Sequence, residues 1–431
     1  MDQFETLCRT YIECFRHTPK KSRKVGIEKE ILVTDADGFM GDITERVWPD
    51  LKKKNLKAFS DTFYTDQIVG FILNKDQITT DAGKGTFEII LAPLPDVQSC
   101  ERKMKKLLRI LLPICSKQEL SIIGLGVQPL TKASRHTWNR KQRYDILVDE
   151  ALGPKVYPSS LTASDQVHID ISPDELIEVI NTLNGIAGFM MVLFSNSPVR
   201  ENKISKPQVY RELLWDNLGR ERTGIPEKPF ASTEEYLSYL WKLPCIMAKK
   251  NNHYFSPKIP FEELARNKSP KEVFDLFSVH EGTVWFCARP RIYGTVEMRP
   301  TCLQPWEDMM SVGAFVLGAV ENLAETSAFV KQFEWRKLRD LRRTAAYNGF
   351  QVRIKGKKIS YFLKKLLNIS RRGLKKRKKN EEVYLDALFE RVSREKSPAD
   401  RAIAWFKKGG VPLLLKNASL KKEQLRNLNA R

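Results

Sequence analysis

The chain has 431 residues, with 73 Lys and Arg against 52 Asp and Glu and a formal net charge of +21. Hydrophobic residues at 42% and charged residues at 29% are ordinary for a packed protein, which excludes a disordered, collagenous or coiled-coil chain. Of these charges, 30 basic and 9 acidic residues lie in 331–431, so residues 1–330 balance at 43 against 43 and the pI near 9.6 describes only the last part.

The N-terminus carries Asp2, Glu5 and Glu13 without an apolar core, so no secretory signal is expected. VGIEKEILV (25–33) reads as a strand: Val25, Ile27, Ile31 and Val33 share one face, and Glu28 and Glu30 lie on the other. In TTDAGKGTFE (79–88), Asp81 and Glu88 flank Gly83 and Gly85; the pattern is neither GxGxxG nor a Walker loop and reads better as a turn leading a strand than as a phosphate cradle. That strand, GTFEIILA (85–92), sets Glu88 opposite Phe87, Ile89 and Leu91. Residues 96–120 have helical apolar spacing, and SIIGLGV (121–127) reads as a buried strand.

DQVHIDIS (165–172) repeats the alternation, with Gln166, His168 and Asp170 opposite Val167, Ile169 and Ile171. Ser172-Pro173-Asp174-Glu175 is a capping box opening a helix to about Phe194. The longest apolar stretch, 186–195, is shorter than the roughly 20 residues a membrane span requires, and a soluble, cytoplasmic chain is expected. Residues 210–224 are arginine-rich, with Arg211, Arg220 and Arg222 suited to bidentate capture of carboxylate or phosphate, or to salt bridges on a surface helix and loop. GTVEMRP (294–300) opposes Thr295, Glu297 and Arg299 to Val296 and Met298. Pro305-Trp306-Glu307 opens an apolar helix.

After 330 the segments are basic and helical, broken at Asn348-Gly349 and at RRGLKKRKKN (371–380), the second reading as a solvated loop with nucleic-acid or anionic-surface docking as its functional alternative. A final helix follows Ser397-Pro398. We expect a body at 1–330 with the helical part 331–431 packed on it. Seven scattered cysteines without a CxxC pair argue for reduced thiols rather than disulfides or structural zinc.

Four strands thus carry Glu28, Glu30, Glu88, His168 and Glu297 on polar faces with few compensating cations. Crowded carboxylates raise one another's pKa unless cations neutralise them. An oxygen-rich set with one imidazole suits Mg²⁺ or Mn²⁺, which in such sites bridges carboxylates to nucleotide phosphates. The expectation is a metal-ATP site.

GIEKE (26–30), the interval from Asp81 to Phe87-Glu88, LAPLPD (91–96), GLGVQP (124–129), QRYDIL (142–147), QVHIDIS (166–172), LFSNSP (193–198), RELLWDNLGRERTG (211–224) and VEMRP (296–300) resemble, in order and spacing, the glutamate-cysteine ligases of the plant and proteobacterial type. SPADRAIAWF (397–406) resembles the family's closing segment. The resemblance implies an α+β fold of the glutamine synthetase and guanidino kinase superfamily: a curved antiparallel sheet, surrounded by helices, that holds substrates on its concave face. It implies ATP-dependent formation of a γ-glutamyl phosphate from L-glutamate, then attack by the amino group of L-cysteine. Carried over, Glu28, Asp81, Glu88, His168 and Glu297 are metal ligands. Arg299 stabilises the transferring phosphoryl group, Arg211 and Arg222 hold substrate carboxylate or phosphate, and Gln166, Arg143, Tyr144 and Trp306 line the pocket.

The chain departs from the plant pattern at His168, where that pattern has Asn. It also departs in VYPSSLTASD (156–165), with Leu161 in place of an arginine and Asp165 as an added acid. A ligase that uses a different amine, and a non-catalytic binding protein on the same fold, are the alternatives these departures and the basic part leave open.

Overall fold

The computed structural model describes residues 2–16, 21–54 and 56–426. Its centre is a nine-stranded antiparallel sheet. In chain order the strands are β1 (Val25–Thr34), β2 (Lys57–Ser60), β3 (Ile68–Leu73), β4 (Asp76–Thr80), β5 (Thr86–Ile90), β6 (Ser121–Ile123), β7 (Asp165–Asp170), β8 (Ala288–Arg291) and β9 (Thr295–Met298). Across the sheet the order is β8-β9-β7-β1-β5-β4-β3-β2, with β6 on the C-terminal half of β1. The four strands with ionisable alternation are therefore consecutive neighbours, β5-β1-β7-β9. Registers Glu30 opposite Glu88, Glu28 opposite Gln166 and His168 opposite Glu297 put these side chains on one face, because residues directly opposite in a ladder project the same way.

The other face is the core. Val25, Ile27, Ile31, Phe87, Ile89, Val167, Ile169, Val296 and Met298 are all buried there. Helix Ser311–Glu321 covers β1 and β7, Leu176–Leu193 covers β8 and β9, and Val97–Lys117 covers β1 and β6. At roughly 1.5–3 kcal/mol per fully buried large apolar side chain, this layer is the main favourable term in folding. Lys29 and Asp165, paired across β1 and β7, project into the same layer and form an ion pair there with 0% and 2% side-chain exposure. Lys29 Nζ also donates to Met309 O (3.1 Å), and Asp165 Oδ2 accepts from Gln304 N (3.0 Å). Asp165, the acid added relative to the plant pattern, is thus turned away from the polar face.

The Pro173–Leu193 stretch is apolar and long enough to cross a membrane by composition, yet 83% of its most apolar window is buried inside the protein, where it serves as a core helix. It opens with a 3₁₀ turn in which Ser172 N donates to Glu175 Oε1 (2.8 Å). SIIGLGV forms a strand over Ser121–Ile123 and adds an isolated antiparallel bridge from Val127 to Thr162. The seven cysteines are free thiols.

The basic stretch 371–380 is not the loop expected. Helix Ile359–Arg377 runs through it and ends where Lys378 and Asn380 take left-handed backbone. Gly373 belongs to a helix crossing: a Cβ there would sit 2.0 Å from Gly318 O on the Ser311–Glu321 helix, and one on Gly318 would sit 2.3 Å from Ser370 O. Part of the charge is also used internally. Arg377 donates to Glu381 Oε2 and Glu321 Oε1, both at 2.5 Å, and Lys376 to Asn322 Oδ1 at 2.7 Å. One hydrophobic core extends from Leu7 to Leu425, so the C-terminal helices share it with the sheet.

Candidate functional site

Loops from 134–162 and 215–285 close over the polar face of β5-β1-β7-β9 and leave a pocket of about 280 Å³. Its floor is polar because alternate strand positions point upward. Its walls are apolar and aromatic, from a second small cluster that includes Trp138, Tyr144, Leu147, Val156 and Trp285. Trp285 stacks on Trp215 with centroids 5.4 Å apart.

One side of the pocket is acidic. Glu28, Glu30, Asp81 and Glu88 line it. Burial, then the neighbouring Asp81 and Glu28, push the Glu88 carboxyl well above the usual carboxylate range, against the opposing pull of Lys141. Burial raises Glu30 to about 7 although Arg211 lies near, and Glu30 Oε2 is buried without a hydrogen-bond donor. Burial would likewise raise Glu28, but the His168 imidazole holds it below its ordinary value. Asp81 accepts from Tyr144 OH on Oδ1 (3.0 Å), and Asn139 Nδ2 donates to its backbone carbonyl (3.1 Å). Asp81 sits at the end of the β4-β5 hairpin, whose Gly83 passes so close to the 154–161 turn that a Cβ would lie 1.9 Å from Ser160 O. The glycines of TTDAGKGTFE therefore serve the packing of a strand-leading turn.

The opposite side is cationic. Arg289, Arg291 and Arg299 line it, while Arg143 and Arg211 line the same pocket nearer the carboxylates Asp81, Glu88 and Glu30. Glu297 anchors three of them: Arg289 Nε donates to its Oε2 (2.9 Å), Arg291 Nε lies 3.5 Å from the same oxygen, and Arg299 Nη1 bonds its Oε1. This trio holds the Glu297 carboxyl well below its usual range even though burial acts the other way. Arg299 Nη1 also donates to Gln166 Oε1 (2.6 Å), whose Nε2 donates to Glu30 Oε1 (2.5 Å), so Gln166 bridges the two sides. Arg211, 1% exposed, donates to Glu212 Oε1 (2.6 Å) and lies 3.5 Å from Glu30 Oε1.

Of the residues expected at the site, Glu28, Asp81, Glu88, Glu297, Arg299, Arg211, Gln166, Arg143 and Tyr144 line this one pocket. His168 lies just behind it, its Nε2 3.0 Å from Glu28 Oε1 and its Nδ1 3.1 Å from Thr295 Oγ1. Two residues are elsewhere. Arg222 is spent on Pro244 O (2.9 Å), Thr283 Oγ1 (3.4 Å) and Glu221, so it holds loops together rather than facing the pocket. Trp306 donates through Nε1 to Ala418 O (2.9 Å) and lines a separate crevice with Trp405 and Pro398. Conversely, Arg289, Arg291 and Trp215 belong to the pocket without having been singled out. The alternation Arg289-Pro290-Arg291, one strand before VEMRP, was the available signal. Among the described residues no three His, Cys, Asp or Glu side chains close around a single point.

The profile of Glutamate-cysteine ligase family 2 (GCS2) matches residues 24–417. The chain belongs to the glutamate-cysteine ligase family. Among curated relatives of this ligase family, the chloroplastic glutamate-cysteine ligase A of Oryza sativa subsp. indica is 24% identical over 410 residues, covering 89% of this chain and 81% of that one. The chloroplastic enzyme of Arabidopsis thaliana is 24% identical over 360 residues, covering 79% and 68%. The fold is similar to that of the glutamate-cysteine ligase of Francisella tularensis in complex with AMP, with a TM-score of 0.62 at 12% identity over 93% of this chain and 88% of that one. The sheet with one charged face is thus the fold of this ligase family.

Proposed function

We propose that this member of the family is itself a glutamate-cysteine ligase, joining the γ-carboxylate of L-glutamate to the amino group of L-cysteine at the expense of ATP, in the cytoplasm. The observation that carries the reading is one pocket in which a cluster of carboxylates and five guanidinium groups are brought together. A carboxylate and an amine do not condense spontaneously in water. Phosphorylation makes the acyl group a good electrophile, and the difficulty is charge on the transferring phosphoryl.

Within the pocket Arg299 and its neighbours Arg289 and Arg291 are pre-set by Glu297, and Arg289 is fixed further by the Gly282 and Val284 carbonyls, so these guanidinium groups need little reorganisation. Fixed guanidinium groups of this kind stabilise phosphoryl charge in the transition state, and Arg143 and Arg211 are placed to hold substrate carboxylates. Gln166 keeps Arg299 and Glu30 in register. The tryptophan pair and Leu147 exclude water, which protects an acyl phosphate from hydrolysis.

The acidic side fits a hard divalent cation, Mg²⁺ or Mn²⁺. Glu88 stays raised despite Lys141, and Glu30 Oε2 lacks a donor although Arg211 lies near Glu30 Oε1, so the protein's own cations leave that cluster incompletely neutralised. Glu28, Asp81, Glu88 and His168 would hold such ions, with Glu30 added, Glu297 would join them only by giving up part of its arginine pairing, and the bound ions would neutralise phosphate charge. His168 fits this role: Nδ1, 3.1 Å from Thr295 Oγ1, orients the ring, and Nε2, 3.0 Å from Glu28 Oε1, would offer a lone pair to an ion held there once it carries no proton.

The reading with a different amine rested on the 156–165 segment. Val156, Ser159 and Thr162 do line the pocket, but Asp165 faces the core, which removes the added acid from the acceptor site. The deciding experiment is ADP release with glutamate plus a panel of amino acids and amines. Cysteine is expected to be the preferred acceptor, and turnover with another amine but not with cysteine would overturn the assignment.

A further inference from the structure

We infer that a second cleft, which shares no lining residue with the catalytic pocket, binds a small phosphoryl-bearing molecule. It lies between helix Trp335–Asn348 and the 216–225 segment, with a volume of about 260 Å³. Its cations are all arginine: Arg220, Arg336, Arg339, Arg342 and Arg343. Lysine lines none of it, although Lys outnumbers Arg 17 to 13 in residues 331–431. Planar forks, rather than point charges, match the oxygens of a phosphoryl group two at a time.

The cleft is under-neutralised. Its carboxylates are Asp216 and Asp340. Asp216 is already engaged, with Oδ1 accepting from Arg342 Nη1 (2.6 Å) and Oδ2 lying 3.7 Å from Arg343 Nε. Arg220, Arg336 and Arg339 form no ion pair among the described residues. Positions 336, 339 and 343 recur on one helix face, so three guanidinium groups share that face with no anion among them except Asp340.

Arg342 supplies a built floor. It is 4% exposed, its Nε has no hydrogen-bond acceptor, and it lies against Gly224, where a Cβ would come within 3.2 Å of Cζ and Nη1. Gly224 has φ +75°, a left-handed backbone that keeps this seat open. The buried arginine, the glycine seat and three uncompensated guanidinium groups around one concavity together describe an oxyanion site. The volume exceeds the needs of a lone phosphate, and it sits just below the roughly 300 Å³ at which organic ligand pockets begin.

The site does not depend on the proposed reaction, and the test separates the two. The full chain is titrated by calorimetry with inorganic phosphate, with glycerol 3-phosphate and with malonate, in the presence of a non-hydrolysable ATP analogue plus glutamate, and again as Arg299→Gln. Binding of inorganic phosphate or of the ester is expected under both conditions, and a tighter fit for the ester identifies an organic phosphate as the source. The double variant Arg336→Glu/Arg339→Glu, at exposed and half-buried positions, is expected to weaken binding at least tenfold while ATP turnover persists as the check on folding. Lys364→Glu/Lys365→Glu on the neighbouring helix is expected to leave binding unchanged. The proposal fails if the arginine variant binds as the wild type does, if malonate binds as well as either phosphate, if loading the catalytic pocket or Arg299→Gln abolishes the signal, or if the lysine variant loses it equally.

Discussion

Side-chain orientation decides chemistry at the residue scale, and three substitutions separate site from scaffold. Glu88→Gln and Arg299→Lys are expected to lower kcat by about 10²–10³, the cost of losing one preorganised carboxylate or one guanidinium fork at a phosphoryl site, with thermal stability held. Arg222→Ala should do the reverse. Its guanidinium ties Pro244 to Thr283, so the melting temperature falls while the folded fraction keeps its kcat; a kcat loss at unchanged stability would return Arg222 to the pocket.

Asp165→Leu leaves Lys29 as an uncompensated buried charge and should cost about 3–5 kcal/mol, read from denaturant midpoints. The pair Lys29→Met/Asp165→Leu should recover most of that loss, because well-packed apolar groups replace a buried ion pair with little penalty. Selectivity for the amine acceptor should not change in either variant.

His280 gives a pH signature. Its ring stacks on Phe261, its Nε2 donates to Leu240 O (2.9 Å), and burial lowers its pKa from 6.5 to about 4. The unfolded chain therefore takes up this proton first as pH falls. The associated stability is whole above about pH 6.5 and is lost between 6.5 and 4, amounting to about 3 kcal/mol at the acid end. The gap between urea midpoints of wild type and His280→Gln should be constant above about pH 6.5 and shift by this amount as pH falls toward 4; a gap unchanged across that window would show that this imidazole does not titrate so.

Helices and strands reveal different amounts of themselves in sequence. The four functional strands were legible because a period of two separates their faces by chemistry: Glu28 and Glu30 against Ile27 and Ile31, or Glu297 against Val296 and Met298. Strands β2 to β4 and β8 were not, since Lys57–Ser60 is mostly exposed and Ala288–Arg291 has proline in its middle. The helix through 371–377 was misjudged because glycine amid like charges has the composition of a break. Contact with Gly318 reverses that: the missing side chain lets two helices touch, and acids at 321, 325 and 381 absorb part of the charge. Gly373→Ala should therefore destabilise by about 1–3 kcal/mol through overpacking against a backbone carbonyl that cannot yield, measured by thermal unfolding. A neutral effect would place the crossing farther apart.

For the whole molecule, the charge asymmetry does not mark a separable module. Arg391 reaches Leu193 O (2.9 Å) and Gln304 Oε1 (2.8 Å), and Ala418 O accepts from both Gly124 N and Trp306 Nε1 at 2.9 Å. Chain from beyond residue 390 thus closes the base of the body that carries the sheet. Truncation after 330 should leave a product without a cooperative unfolding transition, whereas the full chain should unfold in one. Two separate transitions for the full chain would show independent units.

Sequence by itself determined which chemistry this chain carries. Alternation on β1, β5, β7 and β9 and the spacing of nine motifs are local properties, and a strand period converts them directly into a charged face. Tertiary structure alone decided which charges meet. Whether Arg222 faces a substrate or a carbonyl, whether Asp165 borders a pocket or neutralises Lys29, and which guanidinium groups Glu297 gathers all depend on contacts between residues up to 136 positions apart in these examples. No periodicity encodes those contacts, because they arise only when the core brings the elements together.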